Sequence, residues 1–266
     1  MIIFESEYAT AIPLNHPRIC SGNYPATVSA DVVGETYNSD AVLGANTYER
    51  YDPATAATIT LDFGVNVDVS YLAIAAHSLS NPNDSTVERI VIQYSDDNIS
   101  FTTLYDGSPV SNGPDDKSPL IFVFNEVSMR YMTFYTEKAG FEVGVMYAGK
   151  ILEIYRGIYS GHTPVTFNRN TVKNLNRSIK GQFLGTSIVR SGLSASYSFS
   201  NVPITWYEDN IEPLSLFART KPFFIAWNPL EHPTQTAYGY AKGDIKPTLN
   251  GVKNYCDFDF GIDAYA

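Results

Sequence analysis

Thr58-Ile-Thr-Leu-Asp-Phe63, Ser70-Tyr-Leu-Ala-Ile-Ala-Ala76, Val87-Glu-Arg-Ile-Val-Ile-Gln-Tyr94, Leu120-Ile-Phe-Val-Phe124, Arg130-Tyr-Met-Thr-Phe-Tyr135 and Lys150-Ile-Leu-Glu-Ile-Tyr155 follow one another through the middle of this chain. Each is short and rich in β-branched and aromatic residues, which suit a pleated, half-buried surface. Gly64, Asn81-Pro-Asn-Asp84, Asp96-Asp-Asn98 and Ser111-Asn-Gly-Pro-Asp-Asp116 separate them. Gly, Asn and Asp accept left-handed backbone and Pro presets φ, so these breaks are tight turns. Short strands joined by tight turns predict an antiparallel β-sandwich.

Ser95-Asp-Asp-Asn98 reads as a hairpin turn whose side chains bond their own backbone, with Phe101 resuming the buried alternation. Arg130 is expected to lay its stem on apolar surface and pair with a carboxylate. In this order, Leu61-Asp-Phe-Gly64, Val91-Ile-Gln-Tyr-Ser-Asp-Asp-Asn-Ile-Ser-Phe101, Arg130-Tyr-Met-Thr-Phe134 and Lys150-Ile-Leu-Glu-Ile154 resemble the discoidin, or galactose-binding-like, jelly roll. The resemblance covers residues 35–157. It implies binding through loops at one end of the sandwich, here Tyr37 to Tyr51, His77 to Asp84 and Ser108 to Lys117. The ligand-contact candidates are Tyr37, Tyr51, His77, Asp84 and Lys117. Read by itself, His77 at the end of an apolar strand caps or satisfies a core position. Leu43-Gly44 and Tyr51 stand where the family has Asp-Gly and Trp, so its structural calcium site is not carried over. Asp115-Asp116 could meet Ca²⁺ only with further spaced oxygen ligands, and no cofactor or metal is expected.

The chain has 266 residues, 44% of them hydrophobic and 17% charged, which gives core enough for two domains. A net charge of −10 argues against gripping nucleic acid by its phosphates, which needs clustered Lys and Arg, and no such cluster is expected. Cys20 and Cys256 match neither a disulfide framework nor metal-ligand spacing and are expected as buried thiols. Met1-Ile-Ile-Phe-Glu-Ser-Glu-Tyr8 lacks the basic and apolar regions of a signal peptide, and no apolar run is long enough to span a membrane. Synthesis in the cytoplasm is the expectation.

Residues 1–34 read as a short strand, Met1-Ile-Ile-Phe4, and an extended arm holding Pro13, Pro17 and Pro25. Beyond Arg156, residues 158–164 read as a linker and 165–266 as a second β domain. Its elements would be Val165-Thr-Phe167, a polar stretch from Asn168 to Arg177, strands at Ile179 to Phe183, Thr186 to Arg190 and Ser194 to Phe199, and one helix within Val202 to Arg219. Ile211, Leu214, Leu216 and Phe217 would form the helix's apolar face, with Pro213 fitting only in a first turn. Asn254-Tyr-Cys-Asp-Phe-Asp-Phe-Gly-Ile262 alternates as a strand with one wet face. Fold class is therefore all-β, with a jelly roll followed by a second sandwich or barrel.

Phe223-Phe-Ile-Ala-Trp-Asn-Pro229, Ala237-Tyr-Gly-Tyr240, Gly243-Asp-Ile-Lys-Pro247 and the final alternating strand resemble the carboxy-terminal part of tail-tip proteins of long-tailed bacteriophages. That resemblance implies a ring-forming structural part of the virion, self-associating and meeting tube, hub and tape-measure proteins. Phe223, Phe224 and Trp227 are core on the simplest reading and inter-subunit contacts on the other. No nucleophile elbow, Walker loop, His-Glu-x-x-His or dinucleotide fingerprint occurs, and an enzyme is not expected, although paired carboxylates for glycoside hydrolysis leave no motif. The leading reading is a tail-tip or baseplate component whose jelly roll contacts proteins or host-surface glycans. The alternative is a stand-alone carbohydrate-binding module with an accessory β domain.

Overall fold

The structure is a computed structural model that describes residues 1–22, 24–79, 89–108, 118–158, 162–251 and 254–265. In chain order its strands begin with β1 (Ile2–Phe4), β2 (Arg18–Cys20), β3 (Thr27–Ala30), β4 (Ala57–His77), β5 (Ile90–Ser95), β6 (Thr102–Gly107), β7 (Leu120–Thr136), β8 (Val143–Gly149) and β9 (Leu152–Glu153). Then come β10 (Arg169–Arg177), β11 (Phe183–Pro203), the helix α1 (Ile204–Ala218), β12 (Phe223–Ala226), β13 (Thr236–Ala241), β14 (Lys246–Leu249) and β15 (Tyr255–Ala264). The all-β expectation holds.

The segments expected as Thr58–Phe63 and Ser70–Ala76 are one strand, β4, and Leu120–Phe124 and Arg130–Tyr135 are likewise one strand, β7. Both bend together. The β4–β7 register shifts between Asp62 and Val67 and again between Val69 and Tyr71. Gly64 sits at the bend with φ +77°, and its amide donates to Asp62 Oδ1 at 2.7 Å. The first half of β4 and the second half of β7 lie in a front layer with β3, β5 and β6, while their other halves lie in a back layer with β1 and β8. Ile59, Leu61, Leu72, Ile74, Phe122, Phe134 and Met146 fill the space between the layers.

Burial follows this layering. Ala57 to Phe63 alternates buried and half-buried because one face is wet, whereas Val69 to His77 and all of β8 are buried throughout. The back layer is covered on both sides. Its outer face, with Tyr71, Ala73, Ile121, Val145 and Tyr147, packs on Cys20, Phe224, Ala226 and Tyr238 of a second sheet. That sheet runs β10-β11-β15-β13-β12-β2-β9, with β14 on β15. Three layers of sheet therefore stack through two apolar seams.

The boundaries differ from those expected. The 1–34 arm is not separate: β1 pairs with β7, β2 pairs with β12, and β3 pairs with β4. At the other boundary β9 pairs with β2, so the jelly roll's exit strand belongs to the second sheet. Removing the jelly roll would bare the Phe224 seam to water. β8, with two glycines and no alternation, escaped sequence reading, while only Leu152 and Glu153 of the expected closing strand are paired.

The helix forms where expected, yet Pro213 lies inside it. Its apolar face is Tyr207, Ile211, Leu214 and Ala218 at helical spacing, with Leu216 left 54% exposed. Tyr207 OH and Ser215 Oγ both donate to Ile245 O at 3.2 Å, satisfying polar atoms that face the core. The polar stretch from Asn168 to Arg177 is a strand, and Ile179 lies in the turn that joins it to β11. This long hairpin is exposed on both faces, so no burial periodicity betrays it. Lys173, Arg177 and Lys180 stand on it, so the chain does hold a local group of cations despite its overall charge.

Ser95 Oγ accepts the amides of Asp97 and Asn98, and Asp97 Oδ1 accepts those of Ile99 and Ser100, as the hairpin reading required. Leu104, not Phe101, resumes full burial. Arg130 Nε donates to Asp62 Oδ1 at 2.9 Å across the bend, the expected ion pair. Cys20 and Cys256 are buried free thiols.

Candidate functional site

The loop between β3 and β4 is held by a few backbone-directed contacts. Asp52 Oδ1 accepts the amides of Thr36 and Tyr37 at 2.9 and 3.0 Å, and Glu35 N donates to Asp52 O. Burial pushes the Asp52 carboxyl up, but the Tyr37 and Thr36 amides outweigh it and its net position is below the usual carboxylate range. Gly34 is required here because a Cβ would stand 1.9 Å from Tyr37 O. Tyr51 N and O exchange hydrogen bonds with Val143, which ties the loop to the start of β8.

These constraints leave a cleft of about 290 Å³ lined by Thr36, Tyr37, Tyr48, Arg50, Asp52 and Glu142. Tyr48 is 80% exposed. Arg50 Nη1 donates to Glu142 Oε2 at 2.6 Å, Nη2 to Tyr265 OH at 3.0 Å, and Nε to Thr47 O at 3.2 Å. A guanidinium has five N–H donors, so these three bonds leave two over. Two phenol rings beside a fixed Arg and two carboxylates suit a polyhydroxylated ligand: rings cover its C–H faces while charged groups meet its hydroxyls. Tyr238 OH donates to Ala45 O at 3.3 Å, so the second sheet also steadies this loop.

Of the expected contacts that fall among the described residues, Tyr37 lines the cleft and Tyr51 and His77 do not. Tyr51 is fully buried, donates its hydroxyl to Val32 O at 2.6 Å and meets the Phe141 ring edge-on, so it is core and cannot touch a ligand. Its phenol is pushed up to about 12 by burial, then by Asp31 and Asp52. His77 is 2% exposed, with Nε2 against Ser118 O and Nδ1 accepting the Leu79 amide, which is the capping role. Asp84, Lys117 and the Asp115-Asp116 pair lie outside the described residues. Among the described residues no group of three His, Cys, Asp or Glu side chains could hold a metal. Tyr48, Arg50, Asp52 and Glu142 went unnamed, although the first three sit in or beside the expected loop; Glu142 precedes the strand that sequence reading missed.

Phe223 and Phe224 are fully buried, the first in the core under α1 and the second in the seam between sheets, so neither is available to another subunit. Trp227 is half-buried, donates Nε1–H to Gln235 Oε1 at 2.8 Å and stacks on His232. A second cleft, of about 310 Å³, includes Tyr8, Thr10, Asn125, Lys150 and Glu153. Its polar groups satisfy each other: Tyr8 OH and Thr10 Oγ1 donate to Glu153, and Lys150 Nζ to Glu126. It is the weaker candidate.

No family model and no curated protein matches the chain. Among solved structures it is similar to the module CpGH89CBM32-5 of Clostridium perfringens, solved with GalNAc-β-1,3-galactose, at 12% identity and a TM-score of 0.39, over 48% of this chain and 100% of that one. A chitosan-binding module of a Paenibacillus chitosanase/glucanase gives 15% identity and 0.39 over 48% of this chain and 99% of the module. A CBM32 from a family 31 glycoside hydrolase of Clostridium perfringens gives 15% and 0.38 over 49% of this chain and 99% of the module.

Proposed function

We propose that this chain is a ring-forming structural subunit of a bacteriophage tail tip or baseplate, joining the tail tube to the adsorption apparatus, with a jelly roll that offers the Tyr37 and Tyr48 cleft to a host-surface glycan. The observation that carries the assembly reading is the β10–β11 hairpin. Ile179, Phe183, Leu184 and Ile188 are 108, 69, 67 and 64% exposed on it, and among the described residues β10 is an edge strand with no outer neighbour in its sheet. Exposed apolar side chains beside an open strand edge are a liability unless another chain covers them. Copies of this chain would do so, with tube, hub and tape-measure proteins stacked on the ring. Weak glycan clefts repeated around a ring add through avidity. Mass photometry with negative-stain imaging over a concentration range tests this: closed rings of one order are expected, and a strict monomer at every concentration refutes self-assembly.

The cleft itself favours a second reading, a stand-alone glycan-binding module. Both readings predict that Tyr48→Ala weakens binding to a glycan panel by about tenfold without lowering stability. The stand-alone reading additionally predicts a monomer.

A further inference from the structure

The hairpin is chemically unlike the rest of the chain. Residues 169–190 hold five of its 18 Lys and Arg and none of its 28 Asp and Glu; no acidic residue occurs between Glu153 and Glu208. A strongly cationic element thus projects from a protein of net charge −10. Its faces also differ. The pairs Lys173–Ile188, Leu175–Thr186 and Arg177–Phe183 put cations and large apolar groups together on one face, with the Arg177 guanidinium 4.5 Å from the Phe183 ring centre. Asn174 and Asn176, opposite Ser187 and Gly185, lie on the other.

A complementary surface exists on the same chain. The outward side of α1 carries Thr205, Glu208, Asp209, Glu212 and Leu216, all exposed and three or four residues apart in succession or adjacent on that face. From Glu208 to Leu216 it extends about 12 Å. The hairpin face from Lys173 to Arg177 extends about 13 Å. Both surfaces are exposed within one copy, so the hairpin does not cover its own helix.

We infer that the hairpin of one copy docks on the outer face of α1 of the next copy, Lys173 and Arg177 meeting Glu208, Asp209 and Glu212 while Leu175, Phe183 and Ile188 cover Leu216. This rests on the ring reading and specifies its interface. The contact is head-to-tail, the type that closes into a ring when the rotation permits. The exposed apolar groups favour protein over nucleic acid, since phosphate contacts need only the cations.

The test uses the full chain in mass photometry and light scattering, with Lys173→Glu/Arg177→Glu, with Glu208→Lys/Glu212→Lys, and with all four substitutions together. Each pair should raise the concentration for half-assembly by about tenfold or more, and the combination should restore assembly to within a few-fold of wild type. The positions are exposed, so unchanged circular-dichroism melts should accompany both pairs. Assembly that ignores Lys173→Glu/Arg177→Glu overturns the hairpin contact and leaves the ring; a wild-type monomer throughout overturns both. Uptake of a short DNA duplex by monomers, lost in Lys173→Glu/Arg177→Glu, would make nucleic acid the occupant and overturn the inference.

Discussion

Phe224→Ala separates a residue that joins two sheets from one that joins two subunits. Phe224 is fully buried, with its ring centre 4.5 Å from that of Tyr238 and 5.4 Å from that of Tyr147, the latter on the back layer of the jelly roll. Truncation removes a whole aromatic ring from a seam whose walls include Cys20, Ala73 and Val145, each held by a backbone hydrogen-bonded into a sheet, so they can collapse only in part. Such losses cost about 3–5 kcal/mol. For a chain of this size that is a fall of roughly 6–20 °C in melting temperature. The assay is urea unfolding followed by tryptophan fluorescence and far-UV circular dichroism. Because both tryptophans, Trp206 and Trp227, lie in the second unit, fluorescence reports on that unit while dichroism reports on all the strands. In the wild type the two signals should fall together; in Phe224→Ala the transition should move down by that amount and the two signals should part. A monomer stability loss under about 1 kcal/mol, with assembly weakened instead, would refute the seam and return Phe224 to an inter-subunit role.

Tyr51→Phe removes only the hydroxyl donated to Val32 O, so it should cost about 0.5–1.5 kcal/mol in denaturant unfolding and leave glycan affinity unchanged. Asp52 has a folded pKa below its unfolded value near 4, so its contribution is present above about pH 4 and lost as pH falls through the folded value. Asp52→Asn should therefore be less stable than wild type at neutral pH, and the gap should narrow as pH falls below about 4 in melts at stepped pH. Gly34→Ala forces a Cβ onto the Tyr37 carbonyl and should cost about 1–3 kcal/mol while abolishing ligand uptake by the cleft, read by calorimetric unfolding and glycan titration.

Much of the fold was legible because each layer writes its own pattern. The alternation of Ala57 to Phe63 and of Tyr255 to Ala264 marks strands with one wet face, and the Ser95 to Asn98 turn marks a hairpin through side chains that bond locally. β8 was not legible, because a short strand covered on both faces and interrupted by Gly144 and Gly149 shows no apolar-polar alternation. β10 was missed for the opposite reason, since its side chains have no core to face. The candidate site was half legible: Tyr37 lies in the loop that the jelly-roll resemblance singled out, but Tyr51, chosen from the same loop, turns inward.

Local chemistry in the chain alone determined the strands with one wet side, the turns and the helix, because each depends on neighbours a few residues away. Tertiary structure decided what distant segments do to one another. It drew Arg18 to Cys20 and Leu152 to Glu153 into the second sheet, buried Tyr51 and Phe224, and brought Glu142 to Arg50 across 92 residues. No local pattern encodes those meetings, since which face of a strand is covered depends on the layer that later packs against it.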